Sequence, residues 1–290
     1  MVITSHNLSI GYQNIAGRHC PILGCKLENQ IDLQNDIEIL AETWSKCKNC
    51  TNSVEKYELI EKIDPSKKRN CTKGRDSGGI LVFAKSHIKP SLSVIKKGDG
   101  RIWFEIKKSL FHDIPNNLKI CAIYAPPEKS HYLSTSFWED LEGELISLTS
   151  VNSPTVIIGD LNARTGNLPD YLDVDSLRDG DRLHLYNRPK PDPRRNCDNK
   201  TNKFGQKTTG LCSSFNLQIA NGRFLGDFWG NYTHHNSNQG QSTVDYALVA
   251  DSLFEHVEDF KILPLNTFSG HSKIVLTIKN ARTKTILGAM

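Results

Sequence analysis

The chain has 290 residues, with 36 Lys and Arg against 32 Asp and Glu; the net charge of +4 permits a polyanionic partner without demanding one. That length can bury on the order of three quarters of the unfolded surface in one core. No apolar run approaches a membrane span, and the start, Met1-Val-Ile-Thr-Ser-His-Asn, lacks the basic segment and apolar stretch of a signal peptide. The expected location is therefore the nucleus or cytoplasm.

In chain order, Val2 to Ile10 and Asp36 to Ala41 read as strands, followed by strands at Gly79 to Ala84, Ile102 to Ile106 and Leu118 to Tyr124. Ser134 to Thr149 carries Phe137, Leu141, Leu145 and Leu148 at helical spacing, with Glu139, Asp140 and Glu142 near its start, where the helix dipole favours acids. Val156, Ile157 and Ile158 form a short β-branched run, the pattern of a strand covered on both faces. A polar stretch from Leu177 to Thr201 predicts a long surface loop, and Phe204 to Phe215 a second helix. Strands return at Val244 to Val249, Val257 to Leu263 and Lys273 to Ile278. This order predicts an α/β fold, a four-layer α/β sandwich of two packed, mainly antiparallel sheets flanked by helices. It forms one domain over residues 1–280, with a tail at 281–290.

Eight cysteines without a secretory signal read as reduced thiols. Cys47 and Cys50 could join Cys20 and Cys25 around zinc, although the first pair is loosely spaced and no His completes a known pattern. Cys121 and Cys212 lie in apolar surroundings and read as core thiols.

Several strand ends carry chemistry. After the 156–158 run, Gly159 allows close backbone approach, and Asp160 and Asn162, two residues apart, share a face if the backbone stays extended. A carboxylate can take a proton or bind a hard cation, and an amide beside it can orient a water. An Asx turn closing the strand is the alternative reading. Glu42 ends the run Ile37, Ile39, Leu40, Ala41, where a carboxylate is costly unless paired or bound to a cation, and it is read as a metal ligand with Asn7 beside it. Tyr124 ends another strand, as a packing residue or a phosphate contact. Asp245, on the face opposite Val244 and Tyr246, and His271, preceding the last strand, could form a dyad in which the acid holds the imidazole toward substrate and favours its protonated form.

Asn7, Glu42, Tyr124, Gly159-Asp160-x-Asn162, Asp245 and Ser269-x-His271 occur in the order of the endonuclease/exonuclease/phosphatase superfamily, which includes DNase I, exonuclease III and the apurinic endonucleases. The resemblance spans residues 2 to 279. Gly78-Gly79-Ile80, Tyr124-Ala-Pro-Pro127, Asn221-Gly-Arg223, Tyr232-Thr233 and Ser242-Thr-Val-Asp-Tyr246 make the chain most similar to the apurinic-type endonuclease domain of LINE-type (non-LTR) retrotransposons. That resemblance implies a DNase I-like sandwich, Mg²⁺ or Mn²⁺, and nicking of DNA to expose a 3′-hydroxyl that primes reverse transcription. It also implies a monomer acting on DNA, with a reverse transcriptase domain in a parent polyprotein; here the chain would be an isolated domain, a fragment or a truncated element.

The roles it implies are a metal at Glu42 assisted by Asn7, water activation by Asp160 with Asn162, and phosphate contacts by His271, oriented by Asp245, and by Tyr124. Thr233 matches a further phosphate contact and Asn221 a polar residue lining the site. Related nucleases commonly carry Ser-Asp-His where this chain has Ser269-Gly270-His271, which implies a reduced metal side. Basic residues Lys67, Lys68, Lys73 and Arg75 in one loop, and Arg188, Arg194 and Arg195 in another, read either as solvated charge or as DNA contacts. The polar segment 234–241 is expected to tune target choice. Two other outcomes compete: a phosphomonoesterase of the same fold, acting on inositol phosphates, and a DNA-binding remnant. The first usually carries Trp-x-Asp-Arg where this chain has Thr243-Val-Asp-Tyr246, and the second is suggested by Gly270.

Overall fold

The computed structural model describes residues 2–17, 33–44, 53–54, 56–66, 76–150, 152–171, 191–236, 240–266 and 269–285. Cys20, Cys25, Cys47, Cys50, Lys67, Lys68, Lys73, Arg75 and Arg188 lie outside these residues, and so does most of the polar stretch 177–201.

The strands are β1 (Val2–Asn14), β2 (Ile37–Ala41), β3 (Ser53–Val54), β4 (Tyr57–Ile63), β5 (Ile80–Lys85), β6 (Leu92–Gly98), β7 (Arg101–Ile106) and β8 (Leu118–Tyr124). Helix α1 (Phe137–Leu148) leads to β9 (Thr155–Asp160), α2 (Lys203–Phe215), β10 (Leu217–Ile219), β11 (His234–Asn236) and β12 (Gly240–Ser242). The chain then forms β13 (Asp245–Ala250), the short α3 (Asp251–Phe254), β14 (Val257–Ile262) and β15 (Ile274–Thr285). A seven-stranded sheet runs β14-β15-β1-β2-β5-β4-β3, and a six-stranded sheet runs β10-β13-β9-β8-β7-β6. β11 and β12 form a separate hairpin.

The parallel pairs β1–β2 and β8–β9 lie in the interior of their sheets, and every other strand pair is antiparallel. Position follows composition. β9 and β2, the latter apolar except for Glu38, are buried along their whole length, whereas Lys96 and Lys97 mark β6 as an exposed edge. The sheets face one another, with β1 over β9, β5 over β8 and β13 beside β15 in one apolar core. Helices α1 and α2 flank the six-stranded sheet. Trp138 meets Phe204 edge-on at 5.2 Å, and buried Glu144 of α1 accepts from Arg101 Nε at 2.6 Å and Trp103 Nε1 at 2.8 Å on β7. The buried free thiols Cys121 and Cys212 are core residues, as their surroundings suggested.

Two strands run well past the ends that the sequence suggested. β15 continues to Thr285 by pairing with β1, so the tail expected from 281 is in part a strand. β1 runs on to Asn14, past Ile10, because it pairs with β2 as far as Asn14↔Ala41. Gly11 within this strand has a packing cause: an added Cβ would sit 2.5 Å from Asn35 Nδ2 and 2.6 Å from Glu38 Oε2. Glu38 and Lys273 form a buried pair there, Nζ to Oε1 at 2.8 Å, and Asn35 also donates to Oε1. Lys273→Ala would leave Glu38 charged and buried beside a void, and it should cost about 3–5 kcal/mol of stability, read as a fall in the urea midpoint.

Candidate active site

The register brings the chemistry to one end of the sandwich. Parallel β1 and β2 end together at Asn14 and Ala41, with Glu42 next in the chain, and parallel β8 and β9 end together at Tyr124 and Asp160. Antiparallel β13 begins with Asp245 directly opposite Asp160. Two carboxylates facing each other across a strand pair are destabilising in an ordinary sheet, so their placement points to function. The charges of Asp160, Asp245 and Glu42 all bear on the buried hydroxyl of Tyr12, which burial, first of all, pushes well up.

Asp160 is almost fully buried and held from two sides. Its Oδ2 accepts from Asn14 Nδ2 at 2.9 Å and its Oδ1 from the Asn162 amide at 2.8 Å. Burial and then the charge of Asp245 raise it to about 8, against the lowering effects of His271, Asn162 and Asn14. Gly159 is required at close range, since a Cβ would lie 1.9 Å from the Ile123 carbonyl. Asn162 is not on an extended strand: its φ is 46°, and the pairing with Asp160 comes from an Asx turn. The shared strand face is thus corrected, and the turn itself brings the two residues together. Asn162 Nδ2 donates to Ala125 O at 2.9 Å. Its carbonyl accepts from Asn202, whose Oδ1 also caps α2 through Gly205 N.

His271 Nδ1 lies 3.0 Å from Asp245 Oδ2. Burial lowers the imidazole, but the charge of Asp245, its hydrogen bond, and the charges of Asp160 and Glu42 outweigh this and raise it to about 9. His271 is therefore a cation at neutral pH. Its loop is tied to β1: Gln13 Nε2 donates to His271 O, and Ser269 Oγ donates to Asn14 O while accepting from His271 N. Glu42 is half-buried with φ 53°, and its Oε1 accepts from Tyr124 Oη. Burial and Glu42 push the Tyr124 hydroxyl well up, so it remains a donor.

Other expected site residues fall elsewhere. Asn7 is exposed at a β-bulge, seven residues and about 23 Å of strand from the site end of β1. Asn14 stands there instead; its Oδ1 accepts from Ala16 N, so its amide positions Asp160 rather than offering a metal ligand. The sequence signal for Asn14 was the turn Ala16-Gly17 behind it, masked by the polar break at Gly11. Thr233 and Asn221 are buried and bind backbone. Thr233 Oγ1 accepts from Val244 N and Asp245 N, both at 3.0 Å, while Asn221 Nδ2 donates to Asp245 O. They hold Asp245 in place rather than facing substrate. Arg195 is exposed and stacks on Phe228 and Trp229, and Arg194 turns inward to Thr165 Oγ1 and Gly166 O.

A cleft of about 300 Å³ opens beside Asn162 and His271, walled by Arg164, Asn202, His234 and Gln241. Neither Arg164 nor His234 was picked out as a site residue. His234 stacks against His271 at 4.4 Å between ring centres, and burial, then His271, lowers it to about 4, which keeps it neutral. The hairpin lies directly on the His271 loop through His235 N to Gly270 O, and a Cβ at Gly270 would come 2.9 Å from His235 O. The glycine that departs from the family pattern therefore makes room for this hairpin.

Asp160, Asp245 and His271 bring ligand atoms within 4.8 Å of one another, and carboxylate oxygens suit a small hard cation; Glu42 is not in that group. Oδ1 of Asp245 is buried with no hydrogen-bond partner among the described residues, which is the cost expected where a cation is to be received. Within that group the imidazole is taken by its hydrogen bond to Asp245 and both Asp160 oxygens accept hydrogen bonds, which leaves Asp245 Oδ1; Glu42, whose Oε1 accepts from Tyr124, is a separate candidate ligand.

The model of the Endonuclease/Exonuclease/phosphatase family matches residues 30–265, and the chain belongs to that family. Its fold is similar to that of the catalytic domain of APE2 from Xenopus laevis, at 16% identity and TM-score 0.66, covering 96% of this chain and 94% of that one. It is also similar to the endonuclease domain of TRAS1, a telomere-specific non-LTR retrotransposon, at 12% identity and TM-score 0.57, covering 94% and 99%. A third similar structure is the 3′ phosphatase NExo from Neisseria bound to product DNA hairpin, at 11% identity and TM-score 0.56, covering 94% and 99%. Among curated protein sequences none matches. No helix among the described residues is long and apolar enough to cross a membrane.

Proposed function

We propose that this chain is a divalent-metal-dependent DNA endonuclease that hydrolyses one phosphodiester bond of target DNA, in the manner that would prime retrotransposition. The observation that carries the reading is a buried carboxylate, Asp160, clamped by Asn14 and Asn162 and set opposite the Asp245–His271 pair.

Asp160 takes a proton from a water, whose oxygen bonds to phosphorus as the bond to the 3′-oxygen breaks; the departing 3′-oxygen takes a proton from solvent water and leaves as a hydroxyl. Asn162 shares the turn with Asp160 and orients that water. His271, cationic and held by Asp245, donates to a non-bridging oxygen, where charge grows in the transition state. Tyr124 keeps Glu42 in place and lies at the same strand end. Mg²⁺ or Mn²⁺, held by Glu42, would supply further neutralisation of the phosphate oxygens.

The test is nicking of supercoiled plasmid with Mg²⁺ or Mn²⁺, run beside release of phosphate from inositol phosphates and from 3′-phosphorylated DNA. Expected is nicking that EDTA abolishes, with Glu42→Gln raising the Mg²⁺ concentration required. Phosphate release without nicking would favour a phosphomonoesterase, and neither activity would leave a DNA-binding remnant.

A further inference from the structure

Phe228 and Trp229 are 41% and 63% exposed, in a protein whose Trp103 and Trp138 are buried. Their rings meet edge-on at 5.1 Å, and the Arg195 guanidinium lies over both, 3.8 Å from the centre of Phe228 and 4.5 Å from that of Trp229. Two large apolar rings kept in water beside a cation are costly to display unless something stacks on them.

The display is built. Arg195 N donates to Gly222 O and Cys197 N to Gly230 O, and Asp227 accepts from the amides of Gly222 and Asn231. Gly222 and Gly230 have φ of 75° and 66°, and a Cβ on either would come within 1.9 or 2.1 Å of Arg195 O. Both walls are fastened next to the catalytic dyad. Asp198, three residues after Arg195, accepts from Thr243 N, and Asn231 O accepts from Thr243 Oγ1, two residues before Asp245. Trp229 is four residues from Thr233, so at most about 14 Å of chain separates it from the residue that holds Asp245.

We infer that Arg195, Phe228 and Trp229 form a stacking platform for a nucleobase of a DNA strand that is unpaired beside the scissile phosphate. This rests on the nuclease reading of the site and adds a substrate class, duplex with a locally unpaired flank. Aromatic faces accept any base, and the guanidinium, stacked on rings rather than spent on a carboxylate, adds attraction for the strand's phosphates. A purely apolar protein partner would gain nothing from the cation on the rings.

The experiment titrates the whole chain, in EDTA to hold off cleavage, with a duplex carrying a short unpaired dT flank and with the same duplex fully paired. Binding is read by anisotropy of a labelled DNA and by tryptophan fluorescence. Expected are tighter binding of the unpaired form with quenching, about tenfold weaker binding of that form by Trp229→Ala, and retained affinity with lost quenching in Trp229→Phe. Arg195→Gln should weaken binding and lower the salt slope by about one. Unchanged affinity of Trp229→Ala for the unpaired form, or quenching that survives Trp229→Phe, overturns the platform, whether or not the wild-type chain nicks plasmid. A wild-type chain that never nicks but shows the platform pattern overturns the nuclease reading alone.

Discussion

Asp160→Asn reduces the rate of metal-dependent nicking by at least about a hundredfold, the scale of a lost general base. The substitution keeps the shape at the end of β9 but gives one of its two donors, Asn14 Nδ2 or the Asn162 amide, an NH₂ to face instead of an oxygen. That loss is offset, because the wild-type carboxylate is buried opposite Asp245 and raised to about 8. The folded metal-free chain then holds a proton on Asp160 that the unfolded chain releases near the usual aspartate value. The contribution of Asp160 to stability is fullest below that value and is lost as pH rises through about 8. The Asn variant lacks this part of the decline, so melting curves from neutral to alkaline pH separate a missing base from a damaged fold. Nicking at near wild-type rate would remove Asp160 from the base role.

His271→Ala is the second large effect, a loss of about a hundred- to a thousandfold in rate, as expected for one donor aimed at developing phosphate charge. The pH profile tests the cluster more closely. The base form of Asp160 grows as pH rises through about 8, and the cationic form of His271 is lost through about 9, so the metal-free groups define a narrow maximum whose limbs belong to the coupled set. A divalent cation beside these carboxylates extends the acid limb downward. Asp245→Asn removes a charge that raises both groups, and both limbs should move to lower pH, in addition to any fall in the maximum. An alkaline limb that stays in place would show that His271 is not held by Asp245 during the reaction.

The central strands were legible because burial on both faces imposes a simple pattern. Val156, Ile157 and Ile158, or Leu118 to Tyr124, leave little choice of structure. Short or edge strands were not: β6 and the β11–β12 hairpin are largely polar or exposed, and β10 has only three residues and pairs with β13, about thirty residues away. Asn7 shows the same limit within the site. It is an asparagine on the correct strand, but strand length was set by pairing with β2 and by the Glu38–Lys273 pair beside Gly11, which carry β1 on to Asn14.

Thr233 and Asn221 were legible as residues of the site region, yet their hydrogen bonds to the Asp245 and Val244 backbone make them supports. Arg195 reads from sequence either as solvated charge or as a DNA contact, and only the rings of Phe228 and Trp229 give it the stacking geometry argued above.

By itself the sequence determined the apolar strands and the order of Glu42, Tyr124, Asp160, Asn162, Asp245 and His271, because these depend on local pattern and residue chemistry. Tertiary structure alone decided that Asp160 faces Asp245, that Asn14 clamps it, and that Gly270 gives way to the hairpin. Those facts depend on register between strands far apart in the chain, where a carboxylate's ionisation is set by what packs against it rather than by its neighbours in sequence.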